Sequence, residues 1–179
     1  MKDALAVHRF LLEQQVPHEI VRLRHPVSKA DDLPHVLDLP PERCLAVRMF
    51  GCVGAATGER FLAAVITPAG DMPAPERVLS AVEARLLRPA RPDLVNSITD
   101  YAADLVCPLL LPDGVPVLAD REALGEPPEE EVVYTATGEV WTALAIRLAD
   151  VYRLSRAEPL EPRRAPEAPL ETGAPARAG

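Results

Sequence analysis

Residues 43–50 read RCLAVRMF, an apolar run with one arginine in its middle, introduced by Pro40-Pro41-Glu42. The run is β-rich and heads for a hydrophobic core, so the arginine needs an explanation. Side chains two apart on a strand share a face, about 6.6–6.8 Å from one another. Cys44, Ala46 and Arg48 therefore share one face, and Leu45, Val47 and Met49 the other. Arg48 faces the pocket side in one reading. In the other it lies near a sheet edge and snorkels to solvent or pairs with an acidic neighbour, for which Asp104 is a candidate.

Working outward, FLAAVITP (61–68) follows the glycine-bearing turn GCVGAATGER (51–60), which predicts an antiparallel neighbour for the first strand. Upstream, DALAVHRFLLEQQ (3–15) spaces Leu5, Val7, His8, Leu11 and Leu12 near one helical face, with Asp3 as N-cap and Pro17 as stop. HEIVRLRH (18–25) alternates as a strand, and Pro40-Pro41 closes a short helix in SKADDLPHVLDLPPERC. Downstream, APERVLSAVEARLL (74–87) spaces Val78, Leu79, Val82, Leu86 and Leu87 as a helix. PVLAD (116–120), EVVYTA (131–136) and TALAIRL (142–148) are short apolar runs. No regular βαβ beat joins these pieces, so the expectation is one α+β domain over residues 1–157 rather than a doubly wound sheet. Residues 158–179 are rich in Pro and Ala with almost no large apolar side chain, which predicts a flexible tail.

The bulk properties agree with one soluble core. The chain has 179 residues, 48% hydrophobic and 26% charged, enough to bury roughly two-thirds of its unfolded surface. No apolar run reaches the ~20 residues of a membrane span, and Asp3 and His8 interrupt the place of a signal peptide, so a cytoplasmic location is expected. Net charge is −8; residues 1–60 balance eight Lys/Arg against eight Asp/Glu, so the acidity lies beyond them. DNA is not an expected partner, and an RNA would be held only by a local patch in the neutral N-terminal third. The oligomeric state stays open.

Dinucleotide, P-loop, zinc-protease and serine-hydrolase signatures are absent, and neither cofactor nor metal is expected. Cys44, Cys52 and Cys107 are odd in number and form no C-x-x-C pair, which argues for reduced thiols. Cys44 and Cys52 read as small buried hydrophobes; Cys107, before Pro108 in DLVCPLLLPDG, is expected to face a pocket. His8, His18, His25 and His35 lack partners at metal spacing and read as surface or packing residues, with His25 the one worth testing. Glu129-Glu130-Glu131 reads as a solvated loop.

The order of VPHEIVRLRHPVSKADDLPHVLDLPPERCLAVRMF, LAAVITPAGD, ITDYAADLVCPLLLPDGVPVLAD and TATGEVWTALAIRLADVYRL resembles the YbaK/ProX type of editing domain, over residues ~4–155. That family comprises free-standing aminoacyl-tRNA deacylases and the related insertion in prolyl-tRNA synthetases. The resemblance implies a twisted, mostly antiparallel sheet wrapped by helices, with a pocket for the 3′ end of a mischarged tRNA. It implies ester hydrolysis without metal, cofactor or covalent intermediate: backbone amides polarise the carbonyl and a terminal ribose hydroxyl assists the water. AVRMF lies over the family's K-T-L-V-F, so Ala46 stands at the lysine position; Asp104 to Pro108 lies over G-x-x-x-P, with Asp104 at the glycine. Arg48 or Lys29 is the expected substitute cation. Asp104 is a candidate for the α-amino group, Tyr101 and Thr135 are candidate pocket-wall hydroxyls, and Cys107, Pro108 and Gly138 complete the expected substrate-binding set. A divergent trans-editing deacylase is the first expectation, and a pocket that binds an aminoacyl-tRNA or amino-acid-like ligand without turnover is the alternative.

Overall fold

The computed structural model describes residues 1–125, 127–128 and 130–161. The long strand β2 (Cys44–Gly54) organises it, with the helix α1 (Ala4–Glu13) and strand β1 (His18–Arg22) before it. After a tight turn, β3 (Arg60–Pro68) returns antiparallel to β2, in register from Leu45 opposite Pro68 to Val53 opposite Arg60. Residues 51–54, read above as turn, thus belong to β2.

The opposite edge of β2 changes partner along its length. Cys44 and Leu45 pair in parallel with β6 (Val132–Ala136), whereas Phe50 to Gly54 pair antiparallel with β4 (Ala84–Pro89). Beyond β6, β7 (Thr142–Arg147) and then β1 continue the sheet antiparallel. On the other flank β5 (Val117–Ala119) and β8 (Glu158–Pro159) add short parallel pairings. Among the described residues the result is one eight-stranded mixed sheet, with its long ladders antiparallel as expected. Its helices are α1, α2 (Leu33–Leu37), α3 (Pro75–Ala81), α4 (Pro92–Thr99), α5 (Arg121–Leu124) and α6 (Leu148–Ser155). No helix among the described residues is long and apolar enough to cross a membrane.

Alternation along β2 sorts its side chains as the sequence predicts. Leu45, Val47 and Met49 face the main core with Val7 and Leu11 of α1, Val95 of α4, and Leu148 and Val151 of α6. On the other face, Cys44 and Ala46 pack with Leu23, Val27 and Leu33, while Phe50 and Cys52 pack with Val65, Val78, Leu118 and Leu160. Arg48 shares this second face and falls between the two apolar clusters.

Three expectations need correction. The helix over 74–87 stops at Ala81; Glu83 turns the chain at φ 51° and Ala84 onward becomes β4. Backbone pairing to the open edge of β2 outweighs the weak helical spacing of Leu86 and Leu87. The helix α4, started by Pro92 and burying Val95 and Thr99, had no counterpart in the sequence reading. Residues 158 and 159, assigned to the tail, form β8, and Leu160 is buried; the rest of that predicted tail, from 162, lies outside the described residues.

Thr135 on β6 is fully buried, and its hydroxyl has no hydrogen-bond partner. Removing an unsatisfied buried polar group while keeping shape is neutral or favourable. Thr135→Val should therefore leave unfolding free energy unchanged or raise it by up to about 1 kcal/mol, read by denaturant titration. A loss beyond that would mean the hydroxyl has a role in the core.

Candidate functional site

Between its pairings to β6 and β4, β2 has a free edge over residues 46–48. Met49 C=O accepts a hydrogen bond from Ala90 N–H at 2.9 Å on that edge. Backbone groups alternate sides along an antiparallel strand, so the N–H and C=O of Val47 point to the same edge, into the gap. A cavity of about 200 Å³ lies there, lined by Lys29, Asp31, Ala46, Val47, Arg48 and Asp104 together with residues of the β4–α4 connection. The 3₁₀ turn at Ala30–Asp32 brings up one wall and that at Ala103–Leu105 another. The first turn is braced by Asp32, whose Oδ2 accepts from Ser28 N–H, Ser28 Oγ–H and Lys29 N–H at 3.1, 3.0 and 3.2 Å.

Arg48 is held tightly in this wall. Its Nη1 and Nη2 donate to Asp31 Oδ2 and Oδ1 at 2.8 and 2.6 Å, and its Nε donates to Asp71 C=O at 2.8 Å. The two side chains are only 15% and 22% exposed. The bidentate fork is the strong form of this pairing. Gly70 N–H also donates to Asp31 Oδ1, at 2.7 Å. The Arg48 hydrogen bonds are the largest influence holding the Asp31 carboxyl below its ordinary pKa, against the opposing effect of burial. The acidic partner is thus Asp31, not Asp104: Asp104 sits exposed across the cavity. Lys29 is exposed, and its ammonium makes no ion pair among the described residues.

The other expected site residues lie elsewhere. Tyr101 is fully buried in the main core, donating its hydroxyl to Leu109 C=O at 2.9 Å. Cys107 is buried there too, and desolvation pushes its thiol up to about 12; Cys44 and Cys52 are pushed up to about 11 by the same cause. None of the three is a thiolate at neutral pH. Pro108 lines a separate surface groove, Thr135 is in the sheet interior, and Gly138 lies under the Lys2 carbonyl. His25 is exposed and outside the cavity wall, whereas His8 Nδ1 and His18 Nε2 meet at 2.8 Å on the α1–β1 contact. Glu130 and Glu131 pair with Arg147 and Arg43; Glu129 lies outside the described residues. Sequence reasoning missed Asp31 and the Val47 amide. The only local hint of the first was a doubled acid, Asp31-Asp32, beside Lys29.

With this geometry in hand, comparison with solved structures is informative. The fold is shared with a proposed trans-editing enzyme for prolyl tRNA synthetase. That crystal structure superposes with a TM-score of 0.63 at 19% identity, covering 79% of this chain and 83% of its own. A hypothetical protein of known crystal structure superposes with a TM-score of 0.71 at 16% identity, over 86% of this chain and 95% of that one. No protein-family model matches the sequence, and no curated protein matches it.

Proposed function

We propose that this chain hydrolyses the ester of a mischarged aminoacyl-tRNA, with the aminoacyl group entering the cavity at the free edge of β2. One observation carries the reading: a small cavity at an unpaired strand edge, apolar over much of its wall, has Lys29, among the described residues, as its only lining cation free of a carboxylate. About 200 Å³ is below the ~300–1,000 Å³ of pockets for drug-sized ligands, and suits one amino-acid moiety. The editing-domain resemblance of the sequence and the fold shared with a proposed trans-editing enzyme supply the reaction class.

In this reading water adds to the ester carbonyl carbon, and the bond from that carbon to the ribose oxygen breaks. The ribose hydroxyl regains a proton and the amino acid leaves as a carboxylate. The Val47 N–H is aimed where charge develops on the carbonyl oxygen, the task a preorganised backbone donor performs in acyl transfer. Asp104 receives the α-ammonium group. Lys29 neutralises the terminal phosphate from the rim. Arg48 acts through Asp31 as a positioning residue, fixing the turn that carries Lys29.

A panel of mischarged tRNAs should contain one from which the protein releases amino acid. Lys29→Ala should lower kcat/KM about 10- to 100-fold, since hydrogen bonds to charged groups contribute about 1.5–3 kcal/mol. Release from no tRNA tried would overturn the proposal. A second reading, binding without turnover, draws on the engagement of Arg48 by Asp31 and Asp71, which leaves no free guanidinium for chemistry. It expects thermal stabilisation without release, about 2.7 kcal/mol at 100-fold the dissociation constant.

A further inference from the structure

A second concavity, about 500 Å³, adjoins the candidate site and shares with it the walls formed by Pro89 and Ala90. It lies where the β2–β3–β4 sheet meets α4. Gly51, in the C-terminal half of β2, sits opposite Leu62 on β3 and Arg88 on β4, and Arg60 sits opposite Val53 one pleat away. Directly opposite residues share a sheet face, so Arg60 and Arg88 flank a strip where Gly51 contributes no side chain. A Cβ built on Gly51 would find no atom closer than the Arg88 carbonyl oxygen at 3.9 Å, so the strip is open. Leu94 and Ile98 of α4, 41% and 40% exposed, form the apolar side.

Charge sets this groove apart from the rest of an acidic molecule. Residues 84–91 carry Arg85, Arg88 and Arg91 and no acidic residue. Arg91 is neutralised by Asp93, but Arg60 and Arg88 are exposed and make no ion pair among the described residues. Two guanidiniums free of ion pairs beside an apolar wall suit single-stranded nucleic acid, with cations for the backbone and an apolar surface for a base to rest against. A volume of about 500 Å³ admits a nucleotide, which the 200 Å³ cavity beside it does not.

We propose that this arginine-flanked groove holds the 3′-terminal nucleotides of the RNA, with phosphates on Arg60 and Arg88 and a base against Leu94 and Ile98. It rests on the hydrolysis reading for the identity of the chain end, and it extends that reading to a part of the surface outside the reaction cavity. It also relocates the basic patch: the neutral N-terminal third supplies Arg60, while β4 supplies Arg88.

The test is fluorescence anisotropy with a short, unacylated, single-stranded RNA ending in CCA and carrying a fluorophore, titrated at several salt concentrations. The native chain should bind, with affinity falling steeply as salt rises. Arg60→Ala/Arg88→Ala should weaken binding at least tenfold and flatten the log–log salt slope by about 1.4, two single-strand phosphate contacts' worth. Gly51→Val, which fills the strip without touching a charge, should also weaken binding at least tenfold while melting like the native chain. Arg24→Ala, which removes an exposed arginine outside both cavities, should bind this RNA nearly as well as the native chain. No binding at low salt, equal binding by the double arginine variant, or arginine-dependent binding to anionic lipid vesicles in place of RNA would each overturn the proposal. The two readings fail separately. RNA binding without ester hydrolysis sinks the hydrolase and leaves the groove, whereas hydrolysis untouched by Arg60→Ala/Arg88→Ala sinks the groove alone.

Discussion

Gly138→Ala is expected to lower the unfolding free energy by about 2–5 kcal/mol, combining left-handed backbone strain of about 1–2 kcal/mol with overpacking of about 1–3 kcal/mol. Gly138 has φ 95°, in the half of conformational space that side chains avoid. An added Cβ would stand 2.5 Å from the Lys2 carbonyl oxygen and 3.0 Å from Tyr101 Cδ1. Neither neighbour can yield easily. The Lys2 backbone is fixed by its N–H bond to Asp100 C=O at 2.6 Å, and its ammonium donates to Thr99 C=O and Leu110 C=O at 2.8 and 2.6 Å. Tyr101 is locked in the core by its bond to Leu109. For a chain of this size the melting temperature should drop by about 4–20 °C. A melt within 2 °C of the native chain would contradict the packing role assigned to this glycine in place of the substrate contact expected of it.

Arg48→Ala is expected to cost about 2 kcal/mol at neutral pH, between the ~0–1 kcal/mol of exposed pairs and the 3–5 kcal/mol of fully buried ones. It strips a guanidinium from Asp31 and leaves that carboxylate with Gly70 N–H alone. A double-mutant cycle with Asp31→Ala should return a coupling of about 0.5–3 kcal/mol. The pH dependence follows from the direction of the Asp31 shift. Its folded-state pKa lies below the unfolded value, chiefly through the Arg48 hydrogen bonds, so the unfolded chain binds its proton more readily. The contribution of the pair is therefore fully present above the ordinary carboxylate range and is lost as pH falls through the depressed folded value. The Arg48→Ala penalty should shrink in acid, and Asp31→Asn should abolish this part of the acid dependence. A penalty constant from pH 7 to pH 3 would sink the account.

The legible part of the fold was the part where local period and tertiary demand agree. α1, β1, β3, β6 and β7 follow their spacing within a few residues, and Leu45, Val47 and Met49 all pack on the main core from one face of β2, as assigned. β4 was hidden because Leu86 and Leu87 fit a helix continuing from Val78 as well as they fit a strand; only the vacant edge of β2 decides between them. The candidate site was legible in part for the same reason. Alternation puts Ala46 and Arg48 on one face, and the family resemblance adds Lys29 and Asp104 to the same cavity wall. The partner of Arg48 could not be read, because Asp31 reaches it from a separate turn. The Val47 amide was equally out of reach, since its exposure depends on where β6 ends and β4 begins. Tyr101, Cys107 and Thr135 were expected at a pocket wall because of their polar or reactive atoms, and the structure places all three in the buried interior.

The depth of the three thiols makes the molecule its own reporter of breathing. Cys44, Cys52 and Cys107 are 0%, 2% and 0% exposed and stay protonated at neutral pH. They lie in three different parts of the interior: beside Ala46, beside Phe50 and beside Tyr101. An alkylating reagent can therefore reach each only when its surroundings open, and the three modification rates, resolved by mass spectrometry, would time the opening of the cluster around Ala46, the β4 side and the central core independently.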